Sequence, residues 1–271
     1  MQFKTICSCI LFVMFSCNNN VNSKANNNIN SKNESAAPAK VKKQNLAVTN
    51  KYEHIKNIPL PEGFTRLKQD GNSFAAWLEN IALKNDNTVY LFNGILKYNQ
   101  SAQYAVLNIS VGNRDLQQCV DAVMRLRAEY LFSQNRMEEI IFIDNESVQY
   151  KFSAPYTRPH FTQYLDKVFG MCGSASLAQQ LRPKNNFSSI EAGDVIIRGG
   201  FPGHAVIVTD VAENTIGERV YMIAQSYMPA QDIHILKNPK DENGFPWYKV
   251  NENKFIQTPE YTFRKTELKT W

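Results

Sequence analysis

The spacing of apolar residues along the chain predicts helices in its first part and mainly strands in its second. Apolar side chains recur three and four positions apart within 73–81, 115–132 and 160–181, which is the period of a helix that buries one face. Alternating or continuous apolar runs predict strands at 105–111, 138–144, 147–152, 194–198, 204–212, 219–227 and 232–236. This order of elements favours an α+β fold, with helices packed on an antiparallel sheet.

Glycine and asparagine mark the turns between these elements. Asn93 and Gly94 predict a tight hairpin within 89–99. Gly170 and Gly173 predict a break in the helix at 160–181, because glycine destabilises a helix interior.

A second predicted hairpin joins strands 204–212 and 219–227 through the sequence ENTIGE. If the chain folds back about positions 214 and 215, His204 and Gln225 lie directly opposite each other, roughly 5 Å apart. A turn centred one residue later brings Ser226 opposite His204 instead. The hairpin therefore predicts a polar neighbour for the histidine.

Cys119 is the first candidate for chemistry. Asp115 is the predicted N-cap of the helix, with Gln118 completing a capping box, so Cys119 falls in the first helical turn. Backbone N–H groups at that position favour an anion and lower the pKa of a thiol. Cys119 also shares a face with Leu116 and Val123, which is equally consistent with a structural thiol in the core.

His204 is the second candidate, since it begins an apolar strand directly after the loop Gly-Gly-Phe-Pro-Gly. A ring at that point either faces a cleft or is a satisfied core side chain. If Gln225 contacts it, the amide holds the tautomer and the plane of the imidazole, as the third member of a catalytic triad does. The predicted catalytic set is therefore Cys119, His204 and Gln225.

The residues that follow the hairpin are candidates for binding a substrate. Tyr227, Gln231 and His234 lie close together in the sequence SYMPAQDIHI and would line a cleft beside the hairpin. His234 is also an alternative base to His204. A zinc site would have to gather His204, His234 and a cysteine from three separate segments, so we expect no metal and no cofactor.

The N-terminus has the pattern of an export signal. Lys4 precedes an apolar run at 6–15, and Ser16 then precedes Cys17. A small residue before cysteine at the end of such a run resembles the processing site of bacterial lipoproteins. That resemblance implies a signal peptide at 1–17, a lipidated Cys17 and a membrane-anchored protein of the cell envelope, on its periplasmic or outer-membrane face. An ordinary secretory signal is the alternative.

Residues 18–48 are rich in Asn, Ser, Lys and Ala and predict a flexible tether, because they cannot bury enough apolar surface to fold. This segment contains five lysines and one glutamate. Together with Lys4 these account for the whole formal charge of +5, so the remaining body is neutral. The balance does not support nucleic-acid binding. The whole chain is 43% hydrophobic, which provides enough apolar side chains for a core. Residues 49–271 are long enough to form one α+β domain.

Two cysteines, Cys119 and Cys172, remain in this predicted domain. In an exported protein they can form one disulfide, so a bridge stays open as an alternative to a reactive thiol.

The order of a cysteine on a helix N-terminus, a histidine at a strand start and an amide on the next strand resembles papain-like cell-wall cysteine peptidases of the NlpC and CHAP types. The string AGDVIIRGGFPGHAVIVTDV is similar to their paired Gly-Asp and His strands, and the resemblance covers about 115–227. Three features depart from that pattern: the sequence QQCVDA around Cys119, the insertion at 138–152, and Gln225 in place of the more frequent second histidine.

The strings VGNRDLQQCVDAVMRLRAEYLF, GDVIIRGGFPGHAVIVTDVA and AQSYMPAQDIHILKNP, with PWY and TPEYTF, are similar to an uncharacterised family of exported bacterial proteins, domain of unknown function 4846. In that family the position of Cys172 is typically alanine, which implies that Cys119 is the thiol of interest.

Two functions follow as expectations. The first is a cysteine amidase or peptidase that acts on peptidoglycan peptides through Cys119 and His204. The second is a non-catalytic module on the same fold that binds cell-wall or glycan fragments or a partner protein.

Overall fold

The structure, a computed structural model, describes residues 49–251 and 253–271. The described residues belong to one compact unit. The predicted signal peptide, the lipidated Cys17 and the tether lie outside the described residues. No helix within the described ranges is long and apolar enough to cross a membrane.

Thirteen strands are formed by the described residues. They are β1 (Phe64–Arg66), β2 (Gln103–Val106), β3 (Ile141–Ile143), β4 (Gln149–Lys151), β5 (Arg182–Pro183), β6 (Val195–Arg198), β7 (His204–Asn214), β8 (Arg219–Gln225), β9 (His234–Leu236), β10 (Tyr248–Lys249), β11 (Phe255–Gln257), β12 (Thr262–Arg264) and β13 (Leu268–Thr270).

Nine of these strands form one antiparallel sheet. Its main order is β2-β9-β8-β7-β6-β13-β5, with β1 paired to β7 and β10 paired to β8. The pairs β3-β4 and β11-β12 form two separate hairpins. The sheet is thus built around the long hairpin β7-β8, and the hairpin itself was predicted from the apolar runs of its two strands.

Four α-helices accompany the sheet in the part of the chain that the structure describes. They are α1 (Phe74–Glu79), α2 (Cys119–Ser133), α3 (Arg158–Met171) and α4 (Ser174–Gln180). The break between α3 and α4 confirms the prediction made from Gly170 and Gly173. Ser73 caps α1, since its Oγ accepts a hydrogen bond of 3.1 Å from the backbone N–H of Ala76.

The sheet is buried on both faces, and this explains why its central strands read as unbroken apolar runs. Ala205 and Ile207 of β7 belong to the core cluster that contains α2, whereas Val206 and Val208 belong to a second cluster on the opposite face. Phe263 of β12 helps to close that second cluster. The protein is therefore an α+β fold with helices on one face of an antiparallel sheet, as predicted.

The predicted register of the β7-β8 hairpin is wrong. Glu213 pairs with Arg219, so the hairpin is centred on Ile216 rather than on 214 and 215. A β-bulge at Thr209, between the pairs of Val208 and Asp210, then shifts the register back by one residue, so that Ile207 pairs with Ala224. His204 therefore has neither Gln225 nor Ser226 directly opposite it.

Two other predicted boundaries also differ. The helix that carries the thiol begins at Cys119 with Gln118 as its N-cap, and Asp121 completes the cap by accepting a 3.0 Å hydrogen bond from the Gln118 N–H. Asp115 lies before the helix. The hairpin at 89–99 has only an isolated bridge between Tyr90 and Leu96, although its turn is formed.

Candidate functional site

Cys119 lies where the first turn of α2 meets the start of β7. It is the first residue of the helix, and the nearby backbone amides of Val120, Ala205 and Cys119 itself act to lower the pKa of its thiol. Ala205 directly follows His204 in β7, and successive side chains of a strand point to opposite faces of a sheet. Ala205 packs in the cluster that contains α2, whereas the His204 ring contacts Phe263 of the opposite cluster. Among the described residues no hydrogen bond joins the Cys119 thiol to the His204 ring.

The helix is held in this place by the loop between β8 and β9. Asp115 accepts hydrogen bonds of 2.7 Å from the Ala230 N–H and 3.1 Å from the Gln118 side chain. Ser226 Oγ is within 2.9 Å of the carbonyl oxygens of both Gln117 and Gln231. The predicted cap residue Asp115 thus connects two segments instead of capping the helix.

His204 and Gln225 do contact each other, with 2.9 Å between Nε2 of the ring and Oε1 of the amide. The two residues are diagonal neighbours across the hairpin, and long side chains span that separation. The second amide atom sets the orientation, because Gln225 Nε2 donates a 2.8 Å hydrogen bond to Glu260. Oε1 is therefore the atom that faces the ring. It accepts from His204 Nε2–H, so Nδ1 is the ring nitrogen that carries the lone pair.

Glu260 and Lys97 extend this arrangement, and neither was predicted as a site residue. Lys97 Nζ lies 2.7 Å from Glu260 Oε2, the oxygen that also accepts from Gln225. Only 7% of the lysine side chain and 15% of the glutamate side chain are exposed. Nothing in the local pattern at either position signals the pair, since 163 residues separate them.

Aromatic side chains enclose the His204 ring. Its centroid lies 4.7 Å from that of Tyr227, 4.8 Å from that of Tyr261 and 5.6 Å from that of Phe263. These rings leave His204 only 2% exposed and Gln225 only 1% exposed. The imidazole is thus surrounded mainly by aromatic rings, and its Nε2 atom contacts the Gln225 amide.

Burial decides the protonation of the two candidate catalytic groups. It lowers the pKa of His204 to about 4, against the opposing effects of Gln225 and Glu260. It also raises the pKa of the Cys119 thiol, and the nearby Asp121 carboxyl raises it further. The lowered thiol pKa predicted from the helix N-terminus is therefore wrong, because desolvation outweighs the backbone amides. The resting pair is a neutral thiol and a neutral imidazole.

The predicted binding residues lie at different depths. Tyr227 is partly exposed and stacks near His204, whereas Gln231 and His234 are 1% and 0% exposed. His234 donates through Nδ1 to the Asp232 carbonyl at 2.9 Å, and its Nε2 lies 3.5 Å from Gln225 Nε2. Gln231 and His234 therefore support the interior of the site and do not line an open cleft.

Cys172 is separate from this arrangement. It follows the last residue of α3, is buried and, like Cys119, is a free thiol. The disulfide alternative is therefore not the state of this structure. Burial raises the pKa of Cys172 to about 12. A thiol with that pKa is unreactive near neutral pH.

Asp194, which follows Gly193 in the Gly-Asp strand, has a structural role. Its carboxylate accepts hydrogen bonds of 2.8 Å from both Lys184 Nζ and the Glu191 N–H. Residues 49–251 and 253–271 contain no group of three or more His, Cys, Asp or Glu side chains placed to hold a metal ion.

A family model described as domain of unknown function (4846) matches this chain over residues 55–155 and 143–270. No curated protein and no solved structure matches it. The two matched segments contain Cys119, His204, Gln225 and Glu260 and together span well over half of the chain. The chain therefore belongs to the family described as domain of unknown function (4846).

Proposed function

We propose that this protein is a cysteine amidase or peptidase with a papain-like core. The observation that carries the proposal is the orientation of His204, whose Nε2–H is held by the Gln225 amide while Nδ1 keeps its lone pair. A general base needs one ring nitrogen fixed and the other free. Cys119, whose thiol lies near the backbone amide of Ala205, is the nucleophile that we assign to this base, and the two side chains must move toward each other for the reaction.

The proposed reaction transfers an acyl group to sulfur. His204 Nδ1 takes the thiol proton, and the Cys119 thiolate forms a bond to the amide carbonyl carbon. The backbone N–H groups at the start of α2 stabilise the oxyanion. The C–N bond then breaks as His204 returns the proton to the leaving amine, and water, activated by the same ring, hydrolyses the thioester.

Substrate entry requires a change in the resting site, because Cys119 is 8% exposed and His204 is 2% exposed. The loop at 199–203 ends at His204, and its Phe201 is 90% exposed. We assign this loop the role of opening the site. Entry of water and substrate then lowers the desolvation that separates the two pKa values, so that proton transfer from Cys119 to His204 becomes easier.

The proposed substrates are the peptides of peptidoglycan. This part of the proposal rests on the sequence at 1–17, which resembles a lipoprotein signal and would anchor the protein through Cys17 to a membrane of the cell envelope. Amide bonds of stem peptides and crosslinks would then lie within reach of the tethered domain. The neutral charge balance of residues 49–271 is compatible with such a substrate and does not favour a polyanion.

Digestion of purified peptidoglycan tests this proposal. The full-length protein is expected to release stem peptides or new amino termini, which mass spectrometry identifies. Cys119→Ala should reduce the rate at least ~10³-fold, because the nucleophile is lost. Cys172→Ala is the matched control, since it removes the other buried thiol and should leave the rate unchanged. Equal digestion by the wild type and Cys119→Ala would contradict the proposal, as would no digestion by the wild type.

A second function, binding without catalysis, is supported by one observation. Burial keeps the thiol and the imidazole of the resting site neutral, and no hydrogen bond joins them in the described part of the chain. A module of this kind would recognise a cell-wall fragment, a glycan or a partner protein. Retention of the protein on undigested peptidoglycan, unchanged in Cys119→Ala, is the outcome that favours it.

A further inference from the structure

A cavity of about 460 Å³ lies beside the edge strand β2, apart from the site just described. Its lining includes Tyr52, Asn87, Gln103 and Tyr104, and none of Cys119, His204 and Gln225. The volume falls in the range of pockets that hold small ligands. Neither the proposed reaction nor the predicted site residues make use of this cavity.

Tyrosine rings form one part of its wall. The rings of Tyr52 and Tyr104 are nearly parallel, with 12° between their planes and 6.3 Å between their centroids. Phe245 packs against Tyr104 at 6.1 Å, which limits the motion of that ring. Tyr90, 38% exposed, also lines the cavity. Rings of this kind offer a rigid apolar face together with a hydroxyl group.

Two amide oxygens in the lining lack a hydrogen-bond donor within the described residues. They are Gln103 Oε1 and Asn87 Oδ1, and both are buried. The orientation of Gln103 follows from its other atom, since Nε2 donates to the Asn87 carbonyl at 3.0 Å and to Gln100 Oε1 at 2.7 Å. Buried acceptors are almost always paired in native proteins, so these two call for an O–H or N–H donor.

The charged side chains of the lining indicate which class of ligand the cavity can bind. Lys51 and Lys237 are present together with Asp86, so the wall is mixed and lacks a cluster of cations for phosphate. Most of the remaining lining consists of neutral polar side chains and tyrosine. We propose that this cavity is a binding site for a neutral oligosaccharide that carries hydroxyl and acetamido groups. Its ring faces pack on the tyrosines, and rotation of the Gln103 and Asn87 side chains, whose amide oxygens are shielded from solvent, lets its O–H and N–H groups donate to those oxygens.

The cavity and the His204 site are separated by one segment of chain. Leu96 and Gln100 line the cavity, whereas Lys97 between them makes the 2.7 Å ion pair with Glu260. A saccharide bound here would therefore lie behind the segment that supports Gln225 and His204. The inference does not depend on catalysis, because it rests on the residues of the cavity alone.

Calorimetric titration of the full-length protein with N-acetylglucosamine oligosaccharides of two to four units tests the inference. Tyr52→Ala removes one ring and should weaken binding at least about tenfold. Tyr98→Ala is the matched control, because Tyr98 is fully exposed and is not part of the lining; its affinity should stay within about twofold of the wild type. A second variant, Gln103→Met, removes the acceptor oxygen with little change in side-chain volume and should also weaken binding.

Thermal unfolding of each variant shows whether a loss of binding reflects a loss of fold. The inference is overturned if the wild type binds none of these oligosaccharides at millimolar concentration. It is also overturned if a folded Tyr52→Ala and a folded Gln103→Met both bind as tightly as Tyr98→Ala. Binding that is preserved in Cys119→Ala and lost in Tyr52→Ala supports it whatever the outcome of the peptidoglycan digestion.

Discussion

At the scale of single residues, His204 depends on a chain of three polar partners. Lys97 contacts Glu260, Glu260 accepts from Gln225, and Gln225 accepts from the histidine ring. The negative charge at Glu260 forces the NH₂ end of Gln225 toward itself and hence turns the oxygen toward His204. Glu260 thus sets the tautomer of His204 through Gln225, although Glu260 itself makes no hydrogen bond to the imidazole ring.

Loss of one member of the Lys97–Glu260 pair should cost more than loss of both. We expect Glu260→Met to lower the free energy of unfolding by about 3 kcal/mol, because it leaves the ammonium of Lys97 buried without a partner. The double variant Lys97→Met/Glu260→Met should be more stable than Glu260→Met alone. Urea unfolding of the two single variants and the double variant measures the coupling. Costs that add within about 0.5 kcal/mol would show that the pair is not coupled.

At the scale of elements, the loop between β6 and β7 determines where the histidine begins its strand. Gly203 packs so closely that a Cβ at this position would overlap Ser174 Oγ and lie 2.5 Å from the carbonyl oxygen of Gly200. Ser174 belongs to α4 and itself hydrogen-bonds to Gly200 at 3.0 Å. The start of α4 therefore holds the loop that precedes His204.

Gly203→Ala should accordingly destabilise the protein by about 1–3 kcal/mol, since the loop or α4 must move to admit the methyl group. Gly170→Ala is the matched control, because a Cβ in that part of α3 meets no atom within 4 Å. It should be neutral or stabilise the helix by about 0.5–1 kcal/mol. Urea unfolding compares them, and equal effects of the two substitutions would show that close packing at Gly203 is not limiting.

At the scale of the whole molecule, two buried histidines link stability to pH. Burial lowers the pKa of His204 to about 4 and that of His234 to about 3, whereas an unfolded histidine titrates near 6.5. Below pH 6.5 the unfolded chain therefore binds protons that the folded chain does not, and these two groups reduce stability as the pH falls. Glu79 and Asp210 act in the opposite direction, because burial raises their pKa values to about 7 and about 6.

The contribution of His204 can be isolated by comparing the wild type with His204→Gln. Between pH 6.5 and pH 5 the wild type should lose about 2 kcal/mol of unfolding free energy relative to this variant. His160→Gln, on the first turn of α3, is the control and should follow the wild type. Urea unfolding at several pH values gives the difference, and parallel curves for the wild type and His204→Gln would contradict the expected link.

Much of the local structure could be predicted from the sequence, because it depends on neighbours three or four residues away. The helical period located α1 and α2 within a few residues, and the glycines located the break between α3 and α4. Continuous apolar runs identified the β7-β8 hairpin. Cys119 was correctly placed in a first helical turn, although the N-cap is Gln118, three residues after the predicted Asp115.

The candidate site could be predicted only in part. Cys119, His204 and Gln225 could be named because each lies at a recognisable place in a local element. Their geometry and their pKa values could not, because the turn is centred on Ile216, a bulge at Thr209 changes the register again, and burial reverses the effect of the helix N-terminus. Glu260 and Lys97 were missed altogether, since no local pattern marks either residue.

The sequence by itself determined the kind of elements, their order and the face that each one buries, because periodicity and turn residues act over a few positions. The tertiary structure decided which distant residues meet. It brought Lys97 and Glu260 to the amide of Gln225, moved Gln231 and His234 into the interior, and enclosed the cavity beside β2. These outcomes depend on contacts between residues far apart in the chain, such as Lys97 and Glu260, which are 163 residues apart. Such contacts also bury side chains, and the loss of solvent then shifts their pKa values.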